Sequence, residues 1–239
     1  MLAMYAGEVT TMAYYEERRV VLQPGALPAY RRLVHEALWP ALAEAGARPL
    51  CLLSGLIGAP VAETYLFTGF PDAEAWVRAQ PLLGGTDPEA GRVEALGEQR
   101  ASLIVEERAR LLVDCGVRPK AETPLGDRRA VYGLRRFWIR PADWPAFVRQ
   151  SSEGIWPRIE TQDACILGMF RDAAITDPLE AVLITGYHSP AHWQETRGHG
   201  ETAPTVSEAL REGSRRAGTD RNALTLRSYV YLMTAHWPA

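Results

Sequence analysis

The spacing of hydrophobic residues predicts the same strand and helix twice along the chain. Residues 14–22 and 131–139 combine aromatic and β-branched residues, and each run closes at a proline, which is typical of a first strand. In the segments that follow, 27–42 and 144–159, apolar residues recur at helical intervals. Asp143 is expected to start the second helix, because its carboxylate can accept the unpaired amide N–H groups of a first turn.

A Trp-Pro pair lies late in each of these helices, at Trp39 and Trp156. Proline lacks the amide hydrogen that an interior helical position donates, and it restricts the residue before it. The pair therefore predicts that each helix ends or kinks at this point.

Further elements follow in the same order in both halves. The predicted strands are 49–57, 63–70 and 102–113 in the first half and 165–170, 180–187 and 223–233 in the second. Short helices are predicted to begin near Asp72 and Ser189. The order β-α-β-β-α-β, with a small extra helix before the last strand, is the ferredoxin-like pattern.

The two halves align as a tandem repeat. Tyr15 falls on Tyr132, a shift of 117 residues, and the same shift aligns many further pairs without a gap. These pairs include Arg18 with Arg135, Arg19 with Arg136, Trp39 with Trp156, Glu63 with Glu180 and Trp76 with Trp193. The register then slips by about four residues and places Arg100 opposite Arg221, which indicates a loop insertion.

A tandem repeat of this unit predicts an α+β fold in which two ferredoxin-like units form a single-chain pseudo-dimeric α/β barrel. Residues 13–113 would form the first barrel half, 114–129 a linker and 130–239 the second half, after a loose N-terminal extension. An antiparallel sheet that is covered by helices on one face can bury its other face against a second such sheet.

Composition narrows the partners. The chain has 239 residues, 47% of them hydrophobic, and a formal net charge of -3, which is typical of a soluble globular protein. No Lys/Arg-rich run and no long apolar stretch occurs in the sequence, so neither a nucleic acid nor a membrane is expected as a partner. Cys51, Cys115 and Cys165 form no CxxC pair, which favours free thiols in a cytoplasmic protein.

The opening of the first repeat resembles that of NIPSNAP domains in the dimeric α/β-barrel superfamily. The residues concerned are Tyr-Glu-Glu-Arg at 15–18 and Leu-Gln-Pro-Gly at 22–25. The likeness applies to each of the two repeats, which together span nearly the whole chain. The second repeat keeps Arg135 and Pro141 but has Gly133 and Ala142 in place of the Glu and Gly. In many proteins of this superfamily, the pocket lies between the sheet and its helices.

The resemblance implies a range of functions rather than one, since a shared fold supports many activities. The first expectation is an enzyme that acts on a small apolar or aromatic metabolite, as in secondary metabolism, by cofactor-free oxygenation, isomerisation or cyclisation. A haem-binding or haem-degrading protein is the second, and a non-catalytic NIPSNAP-type binding or interaction module is the third. The first of these functions would need no cofactor. The chain would bind a small-molecule substrate, either as a pseudo-dimeric monomer or as a homodimer.

Histidines that occur in one repeat alone are the first candidates for catalysis, because two copies of one scaffold need only one working site. His35 has Ser152 as its counterpart, and a histidine near neutral pKa is the usual general acid or base. His188 and His192 also have no histidine counterpart in the first repeat. His192 is the alternative base, and His192 or His188 would be the iron ligand of a haem protein. No metal-ligand spacing or phosphate-loop motif is present in the sequence, and no metal site is predicted.

The remaining candidates would bind or stabilise the substrate. Arg18 or Arg135 would hold an enolate or carboxylate, as a cation placed where negative charge develops. Trp39, Trp156 and Tyr14 are the predicted substrate-binding aromatic residues.

Overall fold

A computed structural model of the chain describes residues 12–83, 91–120, 127–197 and 206–238, without the side chains of 91–95. The described strands are β1 Tyr14–Leu22, β2 Arg48–Ile57, β3 Glu63–Phe70, β4 Ile104–Asp114, β5 Val131–Ile139, β6 Cys165–Asp172, β7 Leu179–Tyr187 and β8 Thr225–His236. The described helices are α1 Leu27–Leu33, α2 Trp39–Glu44, α3 Ala73–Leu83, α4 Gly91–Leu103, α5 Trp144–Arg149, α6 Trp156–Thr161, α7 Pro190–Arg197 and α8 Glu208–Ala223.

The eight strands close into one antiparallel barrel in the order β1-β3-β2-β8-β5-β7-β6-β4. The two repeats join where β2 pairs with β8 and where β4 pairs with β6. The predicted α+β fold, a single-chain pseudo-dimeric barrel of two ferredoxin-like units, is confirmed.

Strand pairing reproduces the repeat register. Tyr15 lies opposite Gly69, and Tyr132 lies opposite Gly186, both offset by the predicted 117 residues. The predicted slip also appears, because Arg18 faces Ala109 in β4 whereas Arg135 faces Val230 in β8.

Side chains from all eight strands fill the barrel interior, and the helices pack on its outer face. The inner cluster includes Tyr15, Phe67, Tyr132, Phe170 and Met233, all buried. Two further apolar clusters lie between the sheet and the helices, one in each repeat. The space between sheet and helices therefore exists twice, once per repeat.

The predicted start of each last strand is wrong by a few residues. Residues 102–103 end α4 and Ala223 ends α8, so β4 begins at Ile104 and β8 at Thr225. These helices are also longer than the small helix expected. Ser207 accepts a hydrogen bond from the amide N–H of Leu210 at 3.3 Å, which stabilises the start of α8.

The Trp-Pro pairs do not end their helices, because helical turns continue through Glu44 and Thr161. A π-helical segment precedes each pair, Val34–Leu38 before α2 and Gln150–Ile155 before α6. The amide N–H groups of Trp39 and Trp156 donate to carbonyls five residues earlier. This wider turn accommodates a residue without an amide hydrogen, so the helix continues through the proline.

Asp143 does not cap α5 with its side chain. It ends a short 3-10 turn, Pro141–Asp143, and its carboxylate makes no capping hydrogen bond in the described structure. The backbone amide of Asp143 instead donates to the carbonyl of Arg140 at 2.9 Å.

The division into halves at 114–129 stays a prediction, and residues 1–11, 84–90, 121–126, 198–205 and 239 of the proposed segments lie outside the described residues. Cys51, Cys115 and Cys165 are free thiols. Among the residues described, no helix has the length and hydrophobicity needed to cross a membrane.

Candidate functional site

A cavity of about 300 Å³ lies in the second repeat, between β5 and β7 on one side and α6, α7 and α8 on the other. This is where the resemblance places the pocket. Its apolar wall comes from Ile155, Trp156, Ile159 and Leu183. The cavity is therefore small, partly apolar and partly enclosed, as binding sites for small molecules are.

Arg135 points from β5 into this cavity. Strand alternation puts it on the same face as Phe137, which packs under the helices. Within the described part of the chain, its guanidinium has no hydrogen bond and no ion pair. Burial without a counter-charge lowers the pKa of Arg135 below its usual value, although the guanidinium remains charged at neutral pH.

Arg221 enters the cavity from the end of α8 and is 9% exposed. Its Nη1 donates a long hydrogen bond of 3.4 Å to Ser151 Oγ, and its Nε has no partner among the described residues. The guanidinium lies 5.1 Å from the ring centre of Phe137. Burial, followed by repulsion from Arg135, lowers the pKa of Arg221 to about 9.

Two more arginines complete the wall. Arg158 is buried and donates to neutral groups only, namely Ser214 Oγ at 3.0 Å, Gln162 Oε1 at 2.8 Å and the carbonyl of Thr196 at 3.1 Å. Arg197 lies at the exposed edge. No aspartate or glutamate is found among the described residues that line the cavity, so its electrostatic potential is positive.

The equivalent space in the first repeat is filled by an ion network around Arg18. Its Nε donates to Glu16 at 2.6 Å and its Nη1 to Glu107 at 2.9 Å. Arg100, the counterpart of Arg221, also binds Glu107. Burial works against the charge of Arg18, but Glu16 and then Glu107 raise its pKa above the usual value.

Three differences between the repeats explain why ion pairs fill this space in the first repeat whereas a cavity remains in the second. Gly133 replaces Glu16, and Ser228 replaces Glu107 at the position set by strand pairing. Arg197 replaces Gln80, whose side chain joins Arg18 and Glu16 in the first repeat. The second repeat therefore keeps both arginines and loses both of the carboxylates that neutralise them in the first repeat.

Trp156 and Tyr187 supply the aromatic part of the cavity. Trp156 is 1% exposed, and its indole N–H has no acceptor in the residues described, as is also true of Trp39. Burial raises the pKa of Tyr187, so its hydroxyl stays protonated at neutral pH.

The structure does not bring the predicted site residues together in one place. Arg135 and Trp156 lie together in the cavity, whereas Arg18 lies in the ion network of the first repeat. His35 and Trp39 lie side by side, with ring centres 5.0 Å apart, and His35 Nε2 is 3.2 Å from the carbonyl of His236. Neither residue lines the cavity.

Tyr14 lies at the start of β1, paired with Phe70 and partly exposed, and it does not line the cavity either. Its assignment to substrate binding, like those of the other residues, stays a prediction.

His192 contacts Tyr187, with ring centres 5.9 Å apart, but does not line the cavity. Its Nδ1 accepts from the backbone amide of His188 at 3.1 Å, and its Nε2 lies 2.7 Å from the carbonyl of Gln162, a distance at which it donates. Both ring nitrogens are used, which leaves no lone pair for a proton or an iron atom. His188 itself is bonded to Asp163 at 2.5 Å.

Sequence reasoning missed Arg221 and Arg158 as site residues. Arg221 was visible as the repeat partner of Arg100, but nothing local indicates that its carboxylate partner is absent. In the part of the chain that is described, no group of three or more His, Cys, Asp or Glu side chains is placed to hold a metal ion.

Solved structures with the same fold cover almost the whole chain. A candidate monooxygenase from Lactobacillus acidophilus has 11% identity and a TM-score of 0.62, with 95% of each chain covered. An anthrone oxidase-like protein has 11% identity and a TM-score of 0.58, with 95% of this chain and 92% of that chain covered. At these identities the likeness establishes the dimeric α/β-barrel fold, as the sequence predicted.

NIPSNAP-family structures are also among the matches. One from Agrobacterium tumefaciens has 19% identity and a TM-score of 0.36, with 42% of this chain and 86% of that chain covered. No protein-family model matches the sequence, and no curated protein is similar at a significant level.

Proposed function

We propose that the chain is an enzyme that acts on a small, largely apolar or aromatic metabolite in the cavity of the second repeat. The reaction class is cofactor-free oxygenation, isomerisation or cyclisation through an enolate or phenolate of the substrate. The observation that carries this proposal is the Arg135 guanidinium, which faces a partly apolar cavity without a counter-ion among the described residues.

Arg135 provides what such a reaction needs most. A fixed cation in a poorly hydrated site stabilises an oxyanion more strongly than water does, because it needs no reorganisation as the charge develops. It thereby lowers the pKa of a bound carbon acid or phenol. The resulting electron-rich anion is the species that reacts with dioxygen or rearranges.

The described lining residues include neither a carboxylate nor an imidazole. Proton loss therefore depends on the acidity that the arginines confer on the substrate, with water as the acceptor. The fold of the candidate monooxygenase and of the anthrone oxidase-like protein supports this reaction class. The occupied ring nitrogens of His192 give ligation of haem iron by His192 no support. A haem absorption band in protein isolated from a haem-replete host would favour the haem alternative, with His188 as the ligand.

Anthrone, an aromatic carbon acid, is the probe for the test. Oxygen uptake and the product spectrum are measured for the wild type, Arg135→Gln and Arg227→Gln. Arg227 is a matched control, since it stacks on Trp138, 4.0 Å from the ring centre, outside the cavity. We expect Arg135→Gln to lower turnover at least about tenfold, in line with the loss of one oxyanion-stabilising donor, and Arg227→Gln to retain it.

The competing site in the first repeat predicts a different result. A loss confined to His35→Ala, with Ser152→Ala and Arg135→Gln both active, would place the chemistry beside Trp39 and overturn the proposal. Tight binding of aromatic ligands without turnover of any would favour the non-catalytic binding module.

A further inference from the structure

The cavity contains more positive charge than one developing oxyanion requires. Arg135, Arg158 and Arg221 all lie in its wall, and no carboxylate accompanies them in the described lining. A buried guanidinium normally has an ionised partner, because its desolvation is otherwise uncompensated. The unmatched charge is therefore available to an anionic ligand.

The first repeat shows how the same scaffold holds the same arginines when they serve the fold alone. Arg18 and Arg100 share the carboxylate of Glu107, and Arg18 has Glu16 in addition. Two buried cations are thus matched by two carboxylates. In the second repeat, Gly133 and Ser228 leave both places without a carboxylate.

We infer that the substrate itself supplies both missing negative charges, as a permanent carboxylate and, separately, as the oxygen on which charge develops. This inference rests on the proposed function of the same cavity and names its substrate class, an aromatic carboxylic acid that also bears an enolisable carbonyl or a phenolic hydroxyl.

Arg221 is the group that receives the carboxylate. It is nine-tenths buried, its Nε has no acceptor in the described structure, and its one side-chain hydrogen bond, to Ser151, is long. An arginine can donate two parallel hydrogen bonds to a carboxylate, a geometry that lysine cannot provide. Arg135, on the sheet, remains for the reacting oxygen.

The cavity also limits the size of the apolar part. A volume of about 300 Å³ is at the lower end for ligand pockets and suits a compact ligand of two or three fused rings rather than a larger polycycle. The rings would lie against Trp156, Ile159 and Leu183.

The test compares two ligands of the same shape by isothermal titration calorimetry. 2-Naphthoate is an anion at neutral pH, whereas 2-naphthamide is neutral. We expect the wild type to bind 2-naphthoate at least about tenfold more tightly, and Arg221→Met to lose this preference while it still binds the amide. Arg227→Gln is the control and should behave as the wild type.

A second variant restores the pattern of the first repeat. Ser228→Glu places a carboxylate where Glu107 stands, on an exposed position that accepts a longer side chain. It should abolish the preference for 2-naphthoate and raise the melting temperature, because it neutralises Arg221 internally. This variant keeps the inference testable even if Arg221→Met fails to fold.

Each outcome decides the matter. Equal affinities for the two ligands in the wild type, with anthrone turnover still dependent on Arg135, would overturn the carboxylate and leave the proposed function standing. Preference for 2-naphthyl phosphate over 2-naphthoate would also overturn it. Failure of every ligand to bind, together with turnover that does not respond to Arg135→Gln, would overturn both proposals.

Discussion

The carboxylate of Glu17, in the first repeat, accepts a hydrogen bond from the guanidinium of Arg136, in the second repeat, at 2.7 Å. Both side chains point into the barrel, since they follow Tyr15 and Tyr132 on the inward face of their strands. Arg110 adds a bond to Glu17 at 3.1 Å and one to Glu180 at 3.0 Å. This charged layer connects the two sheets at one end of the apolar interior.

Glu17→Gln should destabilise the protein by about 2–4 kcal/mol, because it leaves part of the positive charge of Arg136 and Arg110 buried without compensation. Glu180 continues to neutralise part of that charge, which keeps the loss below that of an isolated pair. Urea unfolding at neutral pH measures the change. Glu106→Gln removes a half-exposed partner of Arg19 and should cost less than about 1 kcal/mol. Equal losses in the two variants would contradict the role given to the charged layer.

Acid should weaken the same contact. Burial opposes the charge of Glu17, but Arg136 and Arg110 together hold its pKa below the usual value. A carboxyl group with a depressed pKa in the fold stabilises the protein above its unfolded pKa, and this contribution is lost as the pH falls through the folded value. Glu17→Gln should therefore make the unfolding free energy less dependent on pH in the acid range than it is in the wild type.

The same substitution should have opposite effects at the equivalent residues Arg18 and Arg135. Arg18→Met leaves the buried carboxylate of Glu16 without its guanidinium and should destabilise the protein by about 3 kcal/mol. Arg135→Met removes an unmatched charge from an apolar wall and should be neutral or stabilising by about 1 kcal/mol. Urea unfolding of both variants tests this, and equal destabilisation would mean that Arg135 has an ionised partner.

The fold could be predicted from the sequence because the tandem repeat shows the same order of strands and helices twice. One register aligns Tyr15 with Tyr132 and Trp76 with Trp193, and β1, β3 and β5 have the predicted bounds. Hydrophobic periodicity is a local property, and duplication provided a second, independent copy of each pattern. The helix ends were less predictable, since a π turn before Trp-Pro has no simple sequence pattern.

The candidate site was predictable only in part. The sequence predicted Arg135 and Trp156 as site residues. It also favoured the first repeat as the place of the catalytic base, because His35 has Ser152 as its counterpart in the second repeat. What opens the cavity is the absence of two carboxylates, at Gly133 and Ser228. Glu107 reaches Arg18 across 89 residues of sequence, so the significance of its replacement depends on strand pairing, which composition and spacing do not reveal.

The free energy of unfolding should fall as the pH falls from about 6.5 to 4, because the buried His236 resists protonation in the folded protein. Its Nε2 lies 2.8 Å from Ser54 Oγ, and burial, with Arg31 and His35 nearby, lowers its pKa to about 4. Between these pH values, the unfolded chain takes up a proton that the folded protein does not. A shift of this size corresponds to about 3 kcal/mol at most.

Comparison of the wild type with His236→Gln separates the effect of His236 from the effect of the carboxyl groups, because the carboxyl groups titrate in both proteins. Unfolding free energies at pH 7.5 and pH 4.5 are compared, and the variant should lose less stability on acidification. The same loss in both proteins would show that His236 is protonated in the fold.

Gly154 allows α8 to lie directly on the π-helical segment Gln150–Ile155. A Cβ atom at Gly154 would be 2.2 Å from the Cβ of Ala217, which is far inside the contact distance. Gly154→Ala should therefore destabilise the protein by about 1–3 kcal/mol and push α8 outward. Because α8 carries Arg221, the preference for 2-naphthoate over 2-naphthamide should fall several-fold in the same variant.

Two further variants separate the close contact from a general effect of adding a methyl group. Gly213 lies on α8 with nothing within 4 Å of its Cβ position, so Gly213→Ala should stabilise the protein by about 0.5–1 kcal/mol through helix propensity. In Gly154→Ala combined with Ala217→Gly, the two methyl groups no longer collide, and 2-naphthoate binding should return to the wild-type value. If the double variant binds as weakly as Gly154→Ala, the position of α8 does not control the cavity through this contact.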